Sequence, residues 1–282
     1  MNKGDDSSLS RNLDEVSGRN KNIVCRIYKG LRKSLEEFLP TACSLCLKNI
    51  NANKFPRNIC DKCLSKVSLR DVNSNLFLMQ DPAEARFNFK SLDLSENPNY
   101  YYTNSFYTFI CTYYDQYLKN MIRNLKFHEG LEFVPVLADL IYLVLERARR
   151  CSSIEFRNVL SFEYIVPLPL HKKRFYERGY NQVELVAKEL SKLTGREVLN
   201  SLVRIKNTKR QSEMKSKVDR LKNVENAFTC NDPAVIIGKK ILLIDDVVSS
   251  GKTLWEAADV LSQNGAEVLI LAITGNQKEN YI

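Results

Sequence analysis

The chain has 282 residues, 44% of them hydrophobic, and a formal net charge of +9 from 42 basic and 33 acidic side chains. That length suits one large domain with a small companion, and the apolar fraction suits an ordinary soluble core. The longest apolar stretch, Val134 to Leu145, is broken by Asp139 and falls short of the roughly 18 residues a membrane helix needs, so no membrane span is expected. The opening M-N-K-G-D-D-S-S has no apolar run and reads as no secretory signal, which makes the cytoplasm the expected location. The positive balance fits nucleic acid, phosphorylated ligands or plain solubility, and does not choose among them.

Residues 1–22 are polar and charged and predict a disordered tail. Ile23, Ile27, Leu31, Leu35 and Phe38 then recur at steps of four, four, four and three, one face of an amphipathic helix that ends near Pro40. Its other face carries Arg26, Lys29, Arg32 and Lys33. Glu36 and Glu37 favour packing on the protein over lying on a membrane surface.

Cys43-x-x-Cys46 and Cys60-x-x-Cys63 follow, thirteen residues apart. Two such knuckles close a tetrahedral four-sulfur shell, the pattern of a structural zinc ribbon. A redox pair is disfavoured because no βαβ pattern surrounds either motif. The helix and ribbon make up 23–70. Residues 71–99 hold the breakers Asp81-Pro82 and Asn97-Pro98 and read as a linker to the main domain, 100–282.

Within that domain, Ser105 to Tyr114 is β-prone and Gln116 to Leu125 helical, with Leu118, Ile122 and Leu125 on one side. L-K-F-H-E-G spans Leu125 to Gly130, and a helix runs on to about Arg150. His128 reads as a solvated surface residue rather than a catalytic one. Cys111, Cys151 and Cys230 read as small apolar fillers. Tyr164 to Pro169 reads as a short buried strand. After it, Leu170, His171, Lys172, Lys173, Arg174 and Arg178 form either an exposed basic turn before a helix over 180–193, or a pyrophosphate site. The glycine at 179 and the prolines at 167 and 169 imply a fixed loop and favour the second. Residues 197–205 predict a strand. The basic segment Asn207 to Lys217 reads as a surface loop or as a lid bringing Lys209 and Arg210 over a polyanion.

The strongest pattern is Ile241 to Thr253, I-L-L-I-D-D-V-V-S-S-G-K-T. An apolar run without polar alternation predicts a strand buried on both faces. Asp245 and Asp246 stand at its carboxyl end, where open α/β sheets bind ligands. Val248, Ser249, Ser250, Gly251, Lys252 and Thr253 then form a turn into a helix, a cradle for an anion. A nucleotide-binding P-loop is excluded, because the first glycine it requires would fall at Asp246. Carboxylates beside a phosphate cradle suit a sugar phosphate. A helix over 253–264 and a strand over 266–273 close the chain.

This stretch resembles the signature of type I phosphoribosyltransferases, which bind 5-phosphoribosyl-1-pyrophosphate (PRPP). The resemblance implies that Asp245 and Asp246 hold the ribose hydroxyls and Ser249 to Thr253 the 5′-phosphate. The wider set resembles the ComF family of competence-associated proteins: F-L-P-x-x-C-x-x-C, L-K-F-H-E-G, V-P-L-P-L-H-K-K-R-F-Y-E-R-G-Y-N-Q, T-K-R-Q-S-E-M, R-L-K-N-V-E-N-A-F and the signature itself. That family implies an α/β fold, a mostly parallel twisted sheet flanked by helices, with an N-terminal zinc ribbon. It also implies PRPP with Mg²⁺, a place in natural competence among other competence proteins, and handling of single-stranded DNA. In a transferase, Lys209 and Arg210 would stabilise the departing pyrophosphate. Ser249 stands where the 6-oxopurine enzymes carry an acid, so purine salvage is not expected. Three readings remain open: a transferase, a non-catalytic PRPP sensor, and an accessory protein whose Phe175, Tyr176 and Tyr180 stack on single strands.

Overall fold

The computed structural model describes residues 42–51, 55–70, 76–80, 89–91, 105–128, 130–151, 154–208 and 224–275. The expected tail (1–22), the amphipathic helix (23–38), most of 71–99, and Lys209 and Arg210 with the rest of the expected lid from 209 onward lie outside the described residues.

Seven strands form one sheet in the order β2-β1-β3-β9-β8-β4-β5. They are Leu76–Gln80 (β1), Phe89–Ser91 (β2), Ser105–Tyr113 (β3), Tyr164–Pro167 (β4), Glu197–Val198 (β5), Lys240–Val248 (β8) and Glu267–Gly275 (β9). From β3 to β5 every pairing is parallel; β1 and β2 add an antiparallel edge. Leu202–Arg204 (β6) and Phe228–Cys230 (β7) make a separate antiparallel pair. The helices are Asp61–Leu64 (α1), Gln116–Phe127 (α2), Phe133–Cys151 (α3), Ile154–Val159 (α4), Lys172–Arg178 (α5), Gln182–Thr194 (α6), Pro233–Ile236 (α7) and Lys252–Gln263 (α8). Among the described residues no helix is long and apolar enough to cross a membrane.

The sheet is covered on both faces, which is why β8 needs no polar alternation. Leu242 and Ile244 pack into a core with Leu137, Ile141, Val186 and Leu190 of α3 and α6. Ile241 and Leu243 face the opposite core, with Leu254, Ala258 and Leu261 of α8 and Phe228 of β7. All four β8 side chains are fully buried, and each contributes on the order of 1.5–3 kcal/mol.

Four local readings change. The strand predicted from the apolar run at Ile241, with the acids at its carboxyl end, continues to Val248, because Val247 and Val248 still pair with Thr274 and Gly275 of β9; both acids therefore lie within the strand. The basic turn after β4 is itself a helix, α5, with His171 as its N-cap and Gly179 as its C-cap. The 197–205 segment is two short strands in two different sheets. The stretch read as a linker contains β1 and β2, which extend the main sheet; L-F-L-M from Leu76 to Met79 carries the apolar content for a strand.

Cys43, Ile59, Cys63 and Val67 of the cysteine module share the core of α3 and α6. An ionic clamp joins the two. Arg57 donates from Nε and Nη2 to fully buried Asp139 of α3, the Nη2 contact at 2.6 Å, and from Nη1 to Glu189 of α6 at 3.2 Å. The Arg57 backbone N–H also reaches Asp139. Asp139, the charge that interrupts an apolar helix, is thus accounted for. Arg57→Ala leaves that carboxylate buried without its guanidinium. Because Arg57 keeps about a third of its side chain exposed, the expected loss is about 2–3 kcal/mol, read as a lower urea midpoint; an unchanged midpoint would show that the clamp contributes nothing.

Candidate functional site

A cleft of about 260 Å³ opens at the carboxyl ends of β4 and β8. Its floor is Asp245 to Ser249 with Gly251, Thr253 and Leu254; its walls include Lys126 of α2, Arg174 and Arg178 of α5, Gln182 of α6, Arg204 at the end of β6 and Thr208 beyond it.

Between β8 and α8 the chain turns in three residues, 249–251. Gly251 is the N-cap at φ +71 and ψ −18, a left-handed conformation that a side chain would strain, and as a glycine it offers no side-chain cap of its own. The first-turn N–H groups of a twelve-residue helix, with the positive end of its dipole, therefore present an anion site beside the acids.

Asp246 is 5% exposed. Its Oδ1 accepts from Lys126 Nζ at 2.8 Å and its Oδ2 from Gln182 Nε2 at 2.7 Å. Local structure fixes both donors. Asn181 caps α6 by accepting from the Val183 N–H, and donates from Nδ2 to the Leu168 carbonyl at the end of β4. That ties Gln182, the first residue of α6, to the sheet edge. The Tyr180 hydroxyl donates to the Leu125 carbonyl at 2.6 Å, holding the last turn of α2 where Lys126 reaches the acid. Arg178 donates to Gln182 Oε1 and lies over the Phe127 ring at 5.6 Å. Residues 125–127 and 178–182 thus form one structural unit through these contacts, with the turn at Gly179 (φ +80) leading from α5 to Tyr180.

Asp245 keeps part of its surface in the cleft. Burial pushes its carboxyl up to about 7; the charge of Asp246 adds to this, while Lys126, the Asp246 N–H and Arg204 oppose it. Arg204 is 8% exposed and drops to about 10, first through burial and then through Arg174 nearby. Its Nε is buried with no hydrogen-bond partner among the described residues. Its Nη2 donates to the Thr208 hydroxyl, and Arg174 donates to the Thr208 carbonyl at 2.7 Å.

Of the residues singled out in the sequence, Leu170, Arg174, Arg178, Asp245, Asp246, Val248, Ser249, Gly251 and Thr253 line the cleft, whereas Ser250 does not. His171, Lys172 and Lys173 also stand off it; the His171 ring caps α5 and both lysines are exposed. Lys252 is buried and turned away, towards Glu256 at 3.5 Å and Glu225 at 3.8 Å. His128 is an exposed cap residue of α2. Lys126, Gln182 and Arg204 were not singled out. The signal for two of them was their place inside quoted motifs; for Arg204 it was a charge at a buried position of an L-V-R strand.

The Sγ atoms of Cys43, Cys46, Cys60 and Cys63 all lie within 4.8 Å of one another, with Cys46 and Cys60 at 3.7 Å. Four sulfurs at about 2.3 Å from a tetrahedral zinc stand about 3.8 Å apart, so the cluster fits that ion. Burial raises Cys43, but N–H groups of Cys60, Leu45 and Cys46 outweigh it and bring the thiol down to about 6. Burial and the other three thiols push Cys63 up to about 12. Such crowded sulfurs ionise together only around a cation. The acid pair differs. Both Asp246 oxygens already hold protein donors and Asp245 Oδ1 takes the Asp246 N–H at 2.8 Å. That arrangement does not fit a resident Mg²⁺, which asks for near-octahedral oxygen ligands.

Residues 177–281 match the phosphoribosyl transferase domain model. The chain is 32% identical over 160 residues to competence protein F of Haemophilus influenzae, covering 56% of this chain and 67% of that protein. It is 31% identical over 150 residues to the DNA utilization protein YhgH of Escherichia coli K12, covering 53% and 63%. It is 36% identical over 110 residues to competence protein ComFC of Bacillus subtilis, covering 39% and 42%. The matched domain and the helix-flanked parallel sheet make this a type I phosphoribosyltransferase fold.

Purified without chelator under reducing conditions, the protein is expected to carry about one zinc per chain. Stripping that zinc should lower the melting temperature, since Cys43 and Cys63 are part of the core. Four freely titrating thiols and no zinc would contradict the assignment.

Proposed function

Since the chain belongs to the ComF family, we propose that its cleft binds PRPP and that the protein acts in the uptake or use of DNA, as a phosphoribosyltransferase or as a sensor of that ligand. One observation carries the reading: a helix N-terminus entered through a glycine turn, a cleft-facing carboxyl and three guanidinium groups share one small cavity. The turn 249–253 suits the 5′-phosphate. Asp245 suits the ribose hydroxyls, while Asp246 fixes Lys126 and Gln182 around it. Arg174, Arg178 and Arg204 suit the pyrophosphate, and the orphaned Arg204 Nε marks a donor that a ligand oxygen would satisfy; leaving it unmet costs about 1–3 kcal/mol. Lys209 and Arg210, which follow Thr208 in sequence, remain candidates to join them. In a transferase, pyrophosphate would leave the anomeric carbon and these cations would stabilise its charge as the bond breaks. The names of the relatives, competence and DNA utilization proteins, support the cellular role.

Exposed Phe127, Phe175 and Tyr176 beside basic α5 favour a second activity, contact with single-stranded DNA. A Phe175→Ala, Tyr176→Ala variant should lose roughly tenfold in oligonucleotide affinity, with wild-type binding falling steeply with salt. Equal affinity of variant and wild type would remove this activity from the account.

Asp245→Asn should weaken PRPP binding by roughly 10- to 100-fold in calorimetry while the fold persists, since the side chain faces the cleft. The pH dependence has a defined sign. A carboxyl raised from 3.8 to about 7 costs the fold stability as pH climbs through that interval. In the same interval the carboxylate that accepts ribose hydroxyls is formed. Affinity should therefore rise between pH 6 and 8 by more in the wild type than in Asp245→Asn, where only the ligand's own phosphates titrate. Identical pH profiles would rule Asp245 out as the ribose acceptor.

A further inference from the structure

Building on the phosphoribosyl reading, we propose that the Lys126 ammonium stands where a divalent ion would meet the acid pair, so that this cleft takes up PRPP without requiring Mg²⁺. A divalent ion shared by the two acids would need an open oxygen on each. Here Lys126 Nζ holds Asp246 Oδ1 at 2.8 Å and the Gln182 amide holds Oδ2 at 2.7 Å. A magnesium ion binds carboxylate oxygen at about 2.1 Å. Placed on Asp246, it would sit within a few ångströms of a fixed ammonium in a site only partly open to water, where like charges repel strongly.

Lys126 is built into its position. Its side chain is 23% exposed, and its helix buries Leu118, Met121, Ile122 and Leu125. The Tyr180 hydroxyl pins the carbonyl of Leu125, directly before it. The rest of the cleft has the same bias. Lys126, Arg174, Arg178 and Arg204 set four positive charges against the two carboxylates among the lining residues. A pyrophosphate entering this cleft meets its countercharge on the protein.

The test is calorimetric titration of PRPP into the full-length, zinc-loaded protein, in buffer containing Mg²⁺ and in buffer depleted of divalent ions by resin. Zinc content is checked afterwards, and emission from Trp255, the chain's single and buried tryptophan, verifies folding. The wild type is expected to bind in depleted buffer within about tenfold of its affinity with Mg²⁺. In Lys126→Met that ratio should widen by a further 10- to 100-fold, roughly the contribution of a charged hydrogen bond. Lys126→Arg should narrow it again. Wild-type binding that vanishes without Mg²⁺, or the same ratio in wild type and Lys126→Met, overturns the inference while leaving PRPP binding in place. No binding in either buffer overturns the proposed function itself, and this inference with it.

Discussion

A buried carboxylate must be paired, and the pairing of Asp246 organises this molecule. Its two oxygens collect a lysine from the end of α2 and a glutamine from the start of α6, side chains 120 and 64 positions away in sequence but brought to one strand end. Removing Lys126 would leave a buried charge without compensation, a far larger penalty than the pair's net contribution, and removing Gln182 would leave one carboxylate oxygen unsatisfied. The acid therefore fixes where α2 and α6 end and begin relative to β8. Asn181 and Tyr180 reinforce the same placement through backbone carbonyls. The cleft is the space these constraints leave.

Two carboxylates in sequence thus acquire different work. Asp246 is satisfied by protein and serves as a hub. Asp245 is poorly satisfied, pushed to about 7 by burial and its neighbour, and faces the cavity. Arg204 shows the same economy from the cationic side: largely buried, held by Thr208, and left with one unmet N–H. Groups under such tension are where a ligand gains most, because it relieves a cost the fold already carries. The cysteine module sits on the far side of the same core, joined through Arg57 and Asp139, and stabilises the helices that carry the site without reaching it.

Much of this was legible in the sequence. Unbroken Ile and Leu before paired acids gave a central parallel strand, and two C-x-x-C knuckles gave a four-sulfur cluster, because each signal is local. Lys126, Gln182 and Arg204 were not legible as site residues, since their roles arise from long-range contacts. The motif holding Lys126 drew attention to His128, two residues along and facing solvent. Lys252 misled in the opposite direction: inside the phosphate turn, it is drawn away by Glu256 one helical turn on. Strand β1 carried a local signal in L-F-L-M, but the breakers that follow at Asp81-Pro82 masked it, and nothing local showed that a sheet edge awaited β1 and β2.

The account rests on one ligand spanning the turn, the acid and the arginines at once. Phosphorus NMR of PRPP on addition of the protein reads this directly, because the 5′-phosphate and the two pyrophosphate phosphorus atoms resonate separately. All three resonances should shift or broaden together in the wild type. Perturbation of the pyrophosphate alone would reduce the cleft to a general polyanion site, and no change in any of the three would contradict the account.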